Sequence, residues 1–526
     1  MSDLTKYNGT WGKTQVVHLL KRTMFGAKST DIAYFLNKNL SDSVDELLTM
    51  PSKPAPPINH YEGKDVNGSP WSDSTGIAKG ATWVNANYGD GTTNFFRGVS
   101  LTSWWLGNMA NQTRSIQEKM VLFWHSHFCT ELKTGGGATA AYRLVELFRT
   151  YAISDLPTLM VEVSKNPQML HYLNGYLNTK FSPDENYGRE LQELFGIGKG
   201  PGSQYTEDDV REAAKVLTGL SLDWVTQTFL YRPELHETSN KTFSSFYGGA
   251  TITGRTSNAG LDELTDLINM IVSTDECPKF IIRKIYRFFV NYDITSQVET
   301  DIIEPLATLY KNNSFNLQPV LKKLFESEHF YDECNVGVMI KSPIDLLIGF
   351  LREGNTNLPS ISNVDAYYTL FTNLYYAGAT MLQQLGDTPN VAGWPAYYQT
   401  PAYYKHWINT DTLPKRVNNI VWFHYGGYDN VYNVVDFAKQ FSNSADPNTL
   451  LNDIFDNLYM IPVSTTTKSA IKTAGLLTGQ AQDYYWTNAW NDYINDPSNA
   501  SKYQAVYTRL LNVMNFIVQS SEYQLM

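Results

Sequence analysis

The stretch EKMVLFWHSHF, residues 118–128, decides how the rest of the chain is read. With Ile116 just before it, Met120, Phe123 and His127 recur at spacings of four, three and four residues. That period gathers side chains onto one stripe of an α-helix, so His127 is expected on an apolar, inward face. If the helix continues, His125 lies about 200° around the axis from His127. The two imidazoles share a side only if the chain turns extended near Trp124, where successive odd positions point the same way and can present a pair of metal ligands. The plain alternative is one core histidine bonded to a backbone carbonyl and one at the rim.

Outward from this stretch the same helical period recurs. Val16, Val17, Leu19 and Leu20 form one helix, and Ile32, Phe35 and Leu36 a second beyond Gly26. Ser29 and Thr30 stand where an N-cap is expected. Residues 101–128 read as one helix, Gly135, Gly136 and Gly137 as a break, and 140–153 as the next helix. Thr206 followed by Glu207, Asp208 and Asp209 is a capping-box-like start to a helix running toward Gly219. Further helices are expected at 258–272, 278–290, 298–312, 316–327 and 341–352. Residues 51–100, which open on Pro51, Pro54, Pro56 and Pro57, hold no period and read as an irregular loop insertion. Residues 223–256 shift toward alternation, and FSSFYGGATITG suggests a β ribbon turning at Gly248 and Gly249. Residues 383–407 form an aromatic, Pro-rich loop. The expected fold is mainly α: a large multi-helix globular array with long irregular loops and at most a small β ribbon, forming one extended helical unit over 1–526. No fixed-period repeat supports a solenoid.

The chain has 526 residues, 42% of them hydrophobic and only 18% charged, which is ample for packed cores and argues against disorder. A net charge of −11 without a basic stripe sets nucleic acid aside. Arg283, Lys284 and Arg287 read as a solvated helix face. Cys129, Cys277 and Cys334 form no CxxC pair, so reduced, buried thiols are expected. No run of apolar residues is long enough for a transmembrane segment, and the polar start MSDLTKYNGTWGKTQ has no signal-peptide pattern. Compartment is left open, cytoplasmic by default, although abundant Tyr, Trp and Asn also suit an extracytoplasmic surface.

Three further stretches carry candidate chemistry. In PDENYGRELQELFGIGKG, residues 183–200, Asn186, Glu190 and Glu193 form a stripe beside the apolar face of Tyr187, Leu191, Leu194 and Phe195. Carboxylates there are placed for shifted pKa values, as a general base or a metal ligand requires. Glu185 with Arg189, and Arg189 with Glu193, are equally ordinary i,i+4 pairs. In LHETSNKTF, residues 235–243, His236 and Glu237 lie in an irregular segment. The rings of VAGWPAYYQTPAYYKHW, residues 391–407, Trp394 and Tyr397 among them, offer a stacking platform for a sugar or a peptide, or else plug a core. HExxH, GxSxG, P-loop and GxGxxG motifs are absent.

Taken in order, HLLKRTMFG (18–26), EKMVLFWHSHF, ENYGRELQELFGIGKG (185–200) with YTEDDVREAAKVLTGL (205–220), LHETSNKTF, IKSPIDLLIGFLR (340–352) and NVAGWPAYY resemble the successive blocks of the bacterial "domain of unknown function 1800" family. The resemblance spans nearly the whole chain. It implies a large helical protein, often secreted, whose gene commonly neighbours a protein that looks like the alkaline phosphatase and sulfatase superfamily. The family pattern falls here on His125, His127, Asn186, Arg189, Glu190, Glu193, His236 and Glu237. Many relatives have Asp where this chain has Glu237, and many carry an export signal that is not visible here.

Two functional expectations follow. The first is an enzyme performing hydrolysis or oxidation at a buried His/Glu site, with His125, His127 and His236 holding a divalent or transition metal ion or moving protons. In it Glu190 and Glu193 serve as ligand or general base and Arg189 orients an anion, while Asn186 and Glu237 contribute to binding. The second is a non-catalytic surface or partner protein that binds a polysaccharide, or a phosphatase/sulfatase-like partner protein, through Trp394, Tyr397 and their neighbours.

Overall fold

The structure, a computed structural model, describes residues 3–64, 69–132, 136–428 and 430–526. The chain is mainly helical, and apolar side chains from Val16 to Tyr523 join in one connected core. Among the described residues the β structure is confined to two-stranded antiparallel ribbons. Lys241–Thr242 pairs with Thr251–Ile252 around a turn in which Gly248 and Gly249 take φ of 68° and 67°. That conformation is open to glycine at no steric cost. A second hairpin, Leu220–Asp223 with Thr228–Tyr231, begins upstream of the expected ribbon region.

Helices with strong apolar period lie where the sequence places them, as Lys13–Thr23, Ala138–Thr150, Asp262–Ser273, Glu276–Phe289, Leu317–Phe325 and Pro343–Glu353. Three boundaries differ for local reasons. The helix expected from residue 101 begins at Gly91, because the Asp90 carboxylate accepts a 2.7 Å hydrogen bond from the Thr93 amide and starts it within the irregular segment. It does not run on to residue 128 but stops at Asn111, where Arg352 donates to the Ala110 and Gln112 carbonyls at 3.2 and 3.3 Å, and a new helix starts at Gln117. Lys28, not Ser29 or Thr30, is the N-cap of Ser29–Leu36, since the Ser29 hydroxyl is drawn to Gln440 at 2.6 Å. Part of the irregular insertion (residues 65–68) and Gly135 of the expected glycine break lie outside the described residues.

Gly91–Asn111 packs along Val364–Thr380 at close range. A Cβ on Gly107 would sit 1.8 Å from the Tyr367 hydroxyl, so any other residue there would have to displace that buried ring. The aromatic segment then folds over the C-terminal end of Gln117–His127, with a short helix at Pro395–Tyr398 and a 3-10 turn at Tyr403–Trp407. Gly393, at φ 99°, lies so close that a Cβ would meet the Ser126 carbonyl at 2.7 Å.

Candidate functional site

Gln117–His127 stays helical through both histidines, so they point to opposite sides and do not form a ligand pair. His125 is wedged between Trp105 and Trp394, with ring centroids 5.2 and 5.5 Å away, and its Nε2 has no hydrogen-bond partner among the described residues. Burial pushes its pKa down to about 3, leaving a neutral ring in an aromatic sleeve. His127 faces the other way. Its Nε2 is 3.0 Å from the Phe195 carbonyl, which can only accept, so Nε2 carries the proton. The lone pair on Nδ1 therefore receives a hydrogen bond from the Lys284 ammonium, 3.0 Å away.

The geometry around this pair is set by a π turn. Glu185–Glu190 is α-helical, but Leu191–Gly196 widens to i,i+5 bonding, with the Ile197 amide donating to Gln192 at 2.8 Å. Such turns concentrate at functional sites. The Leu194 and Phe195 carbonyls at its end bond instead to Lys284 Nζ, at 3.2 Å, and to His127. The ELQELFG and WHSHF blocks thus meet through backbone carbonyls. The helix-end dipole favours the cation.

The carboxylates of that block are engaged elsewhere. Arg189 donates to Glu207 at 2.6 and 2.8 Å and to Glu185 at 3.3 Å on an exposed face. Glu193 accepts from Tyr205 at 3.1 Å and pairs with Lys199, where the sequence suggested Arg189. Glu190 is half-buried with an unpartnered oxygen, and burial followed by the neighbouring Glu193 raises its pKa. Asn186 donates to the Leu173 carbonyl at 3.1 Å. His236 belongs to a separate buried cluster. Its Nδ1 lies 2.9 Å from the Thr218 carbonyl and its Nε2 3.2 Å from Glu263, which also pairs with Lys241. Glu237 turns away and accepts from the Ser239 amide at 2.9 Å. Among the described residues no group of three or more His, Cys, Asp or Glu side chains is placed to hold a metal ion.

The structure unites two stretches that the sequence treats separately. Trp394 and Trp407 are buried, and the rings cross at 74° (Trp394 on Tyr397) and 76° (Tyr397 on Trp407), so they form no exposed coplanar platform. They roof the end of the WHSHF helix. Beneath them His127, Lys284, Phe123, Phe288, Tyr397 and Tyr398 wall a slot with room for little more than a water molecule. Beyond Phe288 and Tyr397 a second cavity is lined by Lys119, Arg287, Asp345, Tyr292, Tyr403 and Tyr404.

Both cavities draw on a cationic interior. Lys119 pairs with Asp345, and Lys21 with Glu353. Arg22 and Lys284 are bound by carbonyls with no ion-pair partner among the described residues. Burial pushes Lys284 down to about 8 and Lys341 to about 7. The reading of Arg283, Lys284 and Arg287 as a solvated face holds in part. Arg283 forms half-exposed pairs with Glu276 and Glu299, whereas Lys284 and Arg287 face the cavities. The signal was their spacing, since both border Phe280 and Phe288 on one side of Glu276–Phe289. Of the cysteines, Cys129 and Cys277 are buried, but Cys334 is exposed. Cys129 donates to the Ser126 carbonyl at 2.9 Å, and burial pushes it up to about 12, an unreactive thiol.

The chain matches the family described as "Protein of unknown function (DUF1800)" over residues 18–525, and it belongs to that family. No curated protein and no solved structure gives a significant match. No helix among the described residues is long and apolar enough to cross a membrane.

Proposed function

We propose that the protein is a hydrolytic enzyme whose reactive group is the Lys284 amine, oriented by His127 at the floor of the slot. The supporting observation is the lysine's setting: Nζ bonds a bare imidazole nitrogen and a helix-end carbonyl, without an ion-pair partner among the described residues, beside space for a water. With burial holding its pKa near 8, a useful fraction is free amine close to neutral pH. In that form the Nζ lone pair takes a proton from a water in the slot, whose oxygen attacks the substrate as the bond to its leaving group breaks, and the ammonium returns the proton to that leaving group. His127 Nδ1 accepts a hydrogen bond from the resulting ammonium and keeps it aimed. The rings of Tyr397 and Tyr398, which line the slot, exclude bulk water and admit only the reacting end of a substrate.

The test is site-resolved labelling of the intact protein with an amine-directed acylating reagent across pH 6–11, read by peptide mass spectrometry. Lys284 should reach half-maximal labelling near pH 8, below the exposed lysines at about 10.4. A Lys284 profile that coincides with theirs, or no labelling at any pH, rejects the assignment.

The second reading, recognition of a glycan by stacked rings, loses its main support in the burial of Trp394 and Trp407.

A further inference from the structure

Two helices of the C-terminal part, Thr412–His424 and Ala500–Gln519, pack side by side and leave an uncharged aromatic face to solvent. Arg416 donates to Gln524 at 2.8 Å, beyond the end of the second helix, while Tyr507, in its first half, donates to the His424 carbonyl at 2.8 Å. The two therefore run antiparallel, and Trp422 comes level with the turn that carries Phe516. The exposed stripe of the first helix is Asn418, Trp422 and Tyr425, and that of the second is Asn512, Phe516 and Gln519, each spaced i, i+4, i+7 along one side. Asn515 joins them edge to edge, accepting from His424 at 2.7 Å and donating to the Tyr425 hydroxyl at 3.3 Å.

Three large rings stand open on this face, with Trp422 57%, Tyr425 62% and Phe516 51% exposed. Two of them are fixed in place. The edge of the Trp422 indole rests on the Gly427 backbone, where a Cβ would sit 2.1 Å from Cδ1 and 2.3 Å from Nε1, and the Gly427 amide donates to the Trp422 carbonyl at 2.9 Å. The turn that brings Gly427 under the ring passes through Gly426 at φ 80°, a conformation that favours glycine. Tyr425 is tied by its hydroxyl to Asn515. A ring held in this way loses little freedom when a ligand covers it.

The chemistry between the rings narrows the partner. No acidic or basic residue occurs between Arg416 and Asp429, or between Arg509 and Glu522, apart from the buried His424, although the chain as a whole carries −11. The side chains beside the rings end instead in primary amides: Asn418, Asn512 and Gln519 are exposed and bond to no described residue. An amide both donates and accepts, so it meets a hydroxyl in either role. The ring faces suit the C–H side of a sugar. A lipid surface would call for Lys or Arg along the stripes, and neither stripe has one.

We propose that this face binds a neutral polysaccharide, laid along the helix pair with its sugar rings on Trp422, Tyr425 and Phe516 and its hydroxyls on the three amides. The surface is open and elongated, which fits a stretch within a polymer better than its end. It is a different place from the aromatic loop, whose Trp394 and Trp407 are buried, and it stands whether or not Lys284 is reactive.

The experiment is native affinity electrophoresis of the full chain in gels that contain hydroxyethyl cellulose, glucomannan, arabinoxylan or amylopectin over a range of concentrations. Polygalacturonate serves as the anionic polymer, and sedimentation with phosphatidylcholine vesicles is run beside the gels. At least one neutral polymer should retard the protein, while polygalacturonate and the vesicles should not hold it. Trp422→Ala should raise the polymer concentration for half-retardation roughly tenfold, and Phe516→Ala, on the other helix, by less. Gly427→Ala keeps all three rings but displaces the indole, and should weaken binding too. Trp224→Ala removes another exposed tryptophan, in the turn after Leu220–Asp223, and should migrate as the parent does. Should Trp422→Ala unfold, Phe516→Ala and Gly427→Ala carry the test. Free migration in all four neutral polymers, whether or not vesicles bind, overturns the proposal. So does equal retardation by polygalacturonate, retardation that none of the three variants weakens, or an equal loss in Trp224→Ala. Failure of the Lys284 reading shows instead in the labelling profile and leaves these gels as they are.

Discussion

Replacing Asp345 by Asn removes the anion from the Lys119 pair and keeps the shape of the side chain. Both partners are buried, at 1% and 6% exposed for Lys119 and Asp345, and no second Asp or Glu side chain lines that cavity to take over. The substituted amide would still meet the Ser342 hydroxyl, now 2.9 Å from the carboxylate, so the start of Pro343–Glu353 should survive. What is lost is charge compensation, and stranding one member of a buried pair costs about 3–5 kcal/mol. Unfolding entropy of about 2.1 cal/mol/K per residue over 526 residues gives about 1.1 kcal/mol/K, so the melting temperature should fall by about 3–5 °C. Scanning calorimetry at pH 7 reads this directly. The loss should shrink at higher pH, where Lys119, whose pKa burial already lowers, can shed its proton. The double variant Lys119→Met/Asp345→Asn should lie closer to the parent than Asp345→Asn alone, because it leaves no stranded charge. An Asp345→Asn protein as stable as the parent, or a double variant worse than the single, would refute the account of a carboxylate held against an excess of cations.

Acid should unfold the protein through its buried histidines. His18, His125, His127 and His424 are each at most 3% exposed, and burial holds all four below the usual value, His125 at about 3 and His424 at about 4. Below pH 6.5 the unfolded chain takes up protons that the folded chain refuses, so stability falls as pH drops from about 6.5 toward 4. Each histidine contributes up to about 1.4 kcal/mol per pH unit in that window, and the four together up to about 5.6. Circular dichroism of a urea series at pH 7, 6 and 5 should show the midpoint falling steadily, and a flat midpoint would contradict burial of these rings in neutral form. At the slot, His127→Leu removes one of the two acceptors that hold the Lys284 ammonium. Half-maximal labelling of Lys284 should then move to lower pH, by up to about one unit, and an unchanged profile would mean that the imidazole does not support that charge.

Much of the helical framework is legible from periodicity because burial of an apolar stripe is what makes these segments helical. Ile281, Ile282, Ile285, Phe288 and Phe289 fix one helix whatever lies around it. The two histidines of WHSHF were legible as alternatives. The sequence ties their convergence to an extended turn near Trp124, and the Phe128 amide bonding back to the Trp124 carbonyl at 2.7 Å keeps the chain helical there. The partners of His127 were not legible. Phe195 acts through its carbonyl, which no side-chain pattern reports, and only the π turn frees it. Lys284 and Arg287 look like any solvated pair until the aromatic loop closes over them, an event decided by packing more than a hundred residues away in sequence.

One device runs through the cationic interior. Arg22 donates to the Phe289 and Val290 carbonyls at the end of Glu276–Phe289, Lys284 to Leu194 at the end of the π turn, Arg352 to Ala110 and Gln112 around the end of Gly91–Asn111, and Lys21 to Leu458 at the end of Pro447–Leu458. Helix ends leave carbonyls unpaired, and their dipoles present about half a negative charge. A buried cation placed there satisfies its hydrogen bonds and those of the helix together. The compensation is unequal, however: a carboxylate cancels a full charge, whereas a helix end offsets only part of one. Of the four, Lys21 and Arg352 also meet the carboxylates of Glu353 and Asp31, whereas Arg22 and Lys284 keep a charge that the helix ends offset only in part. Asp345 answers Lys119, and Glu353 answers Lys21 and, at 4.0 Å, Lys341.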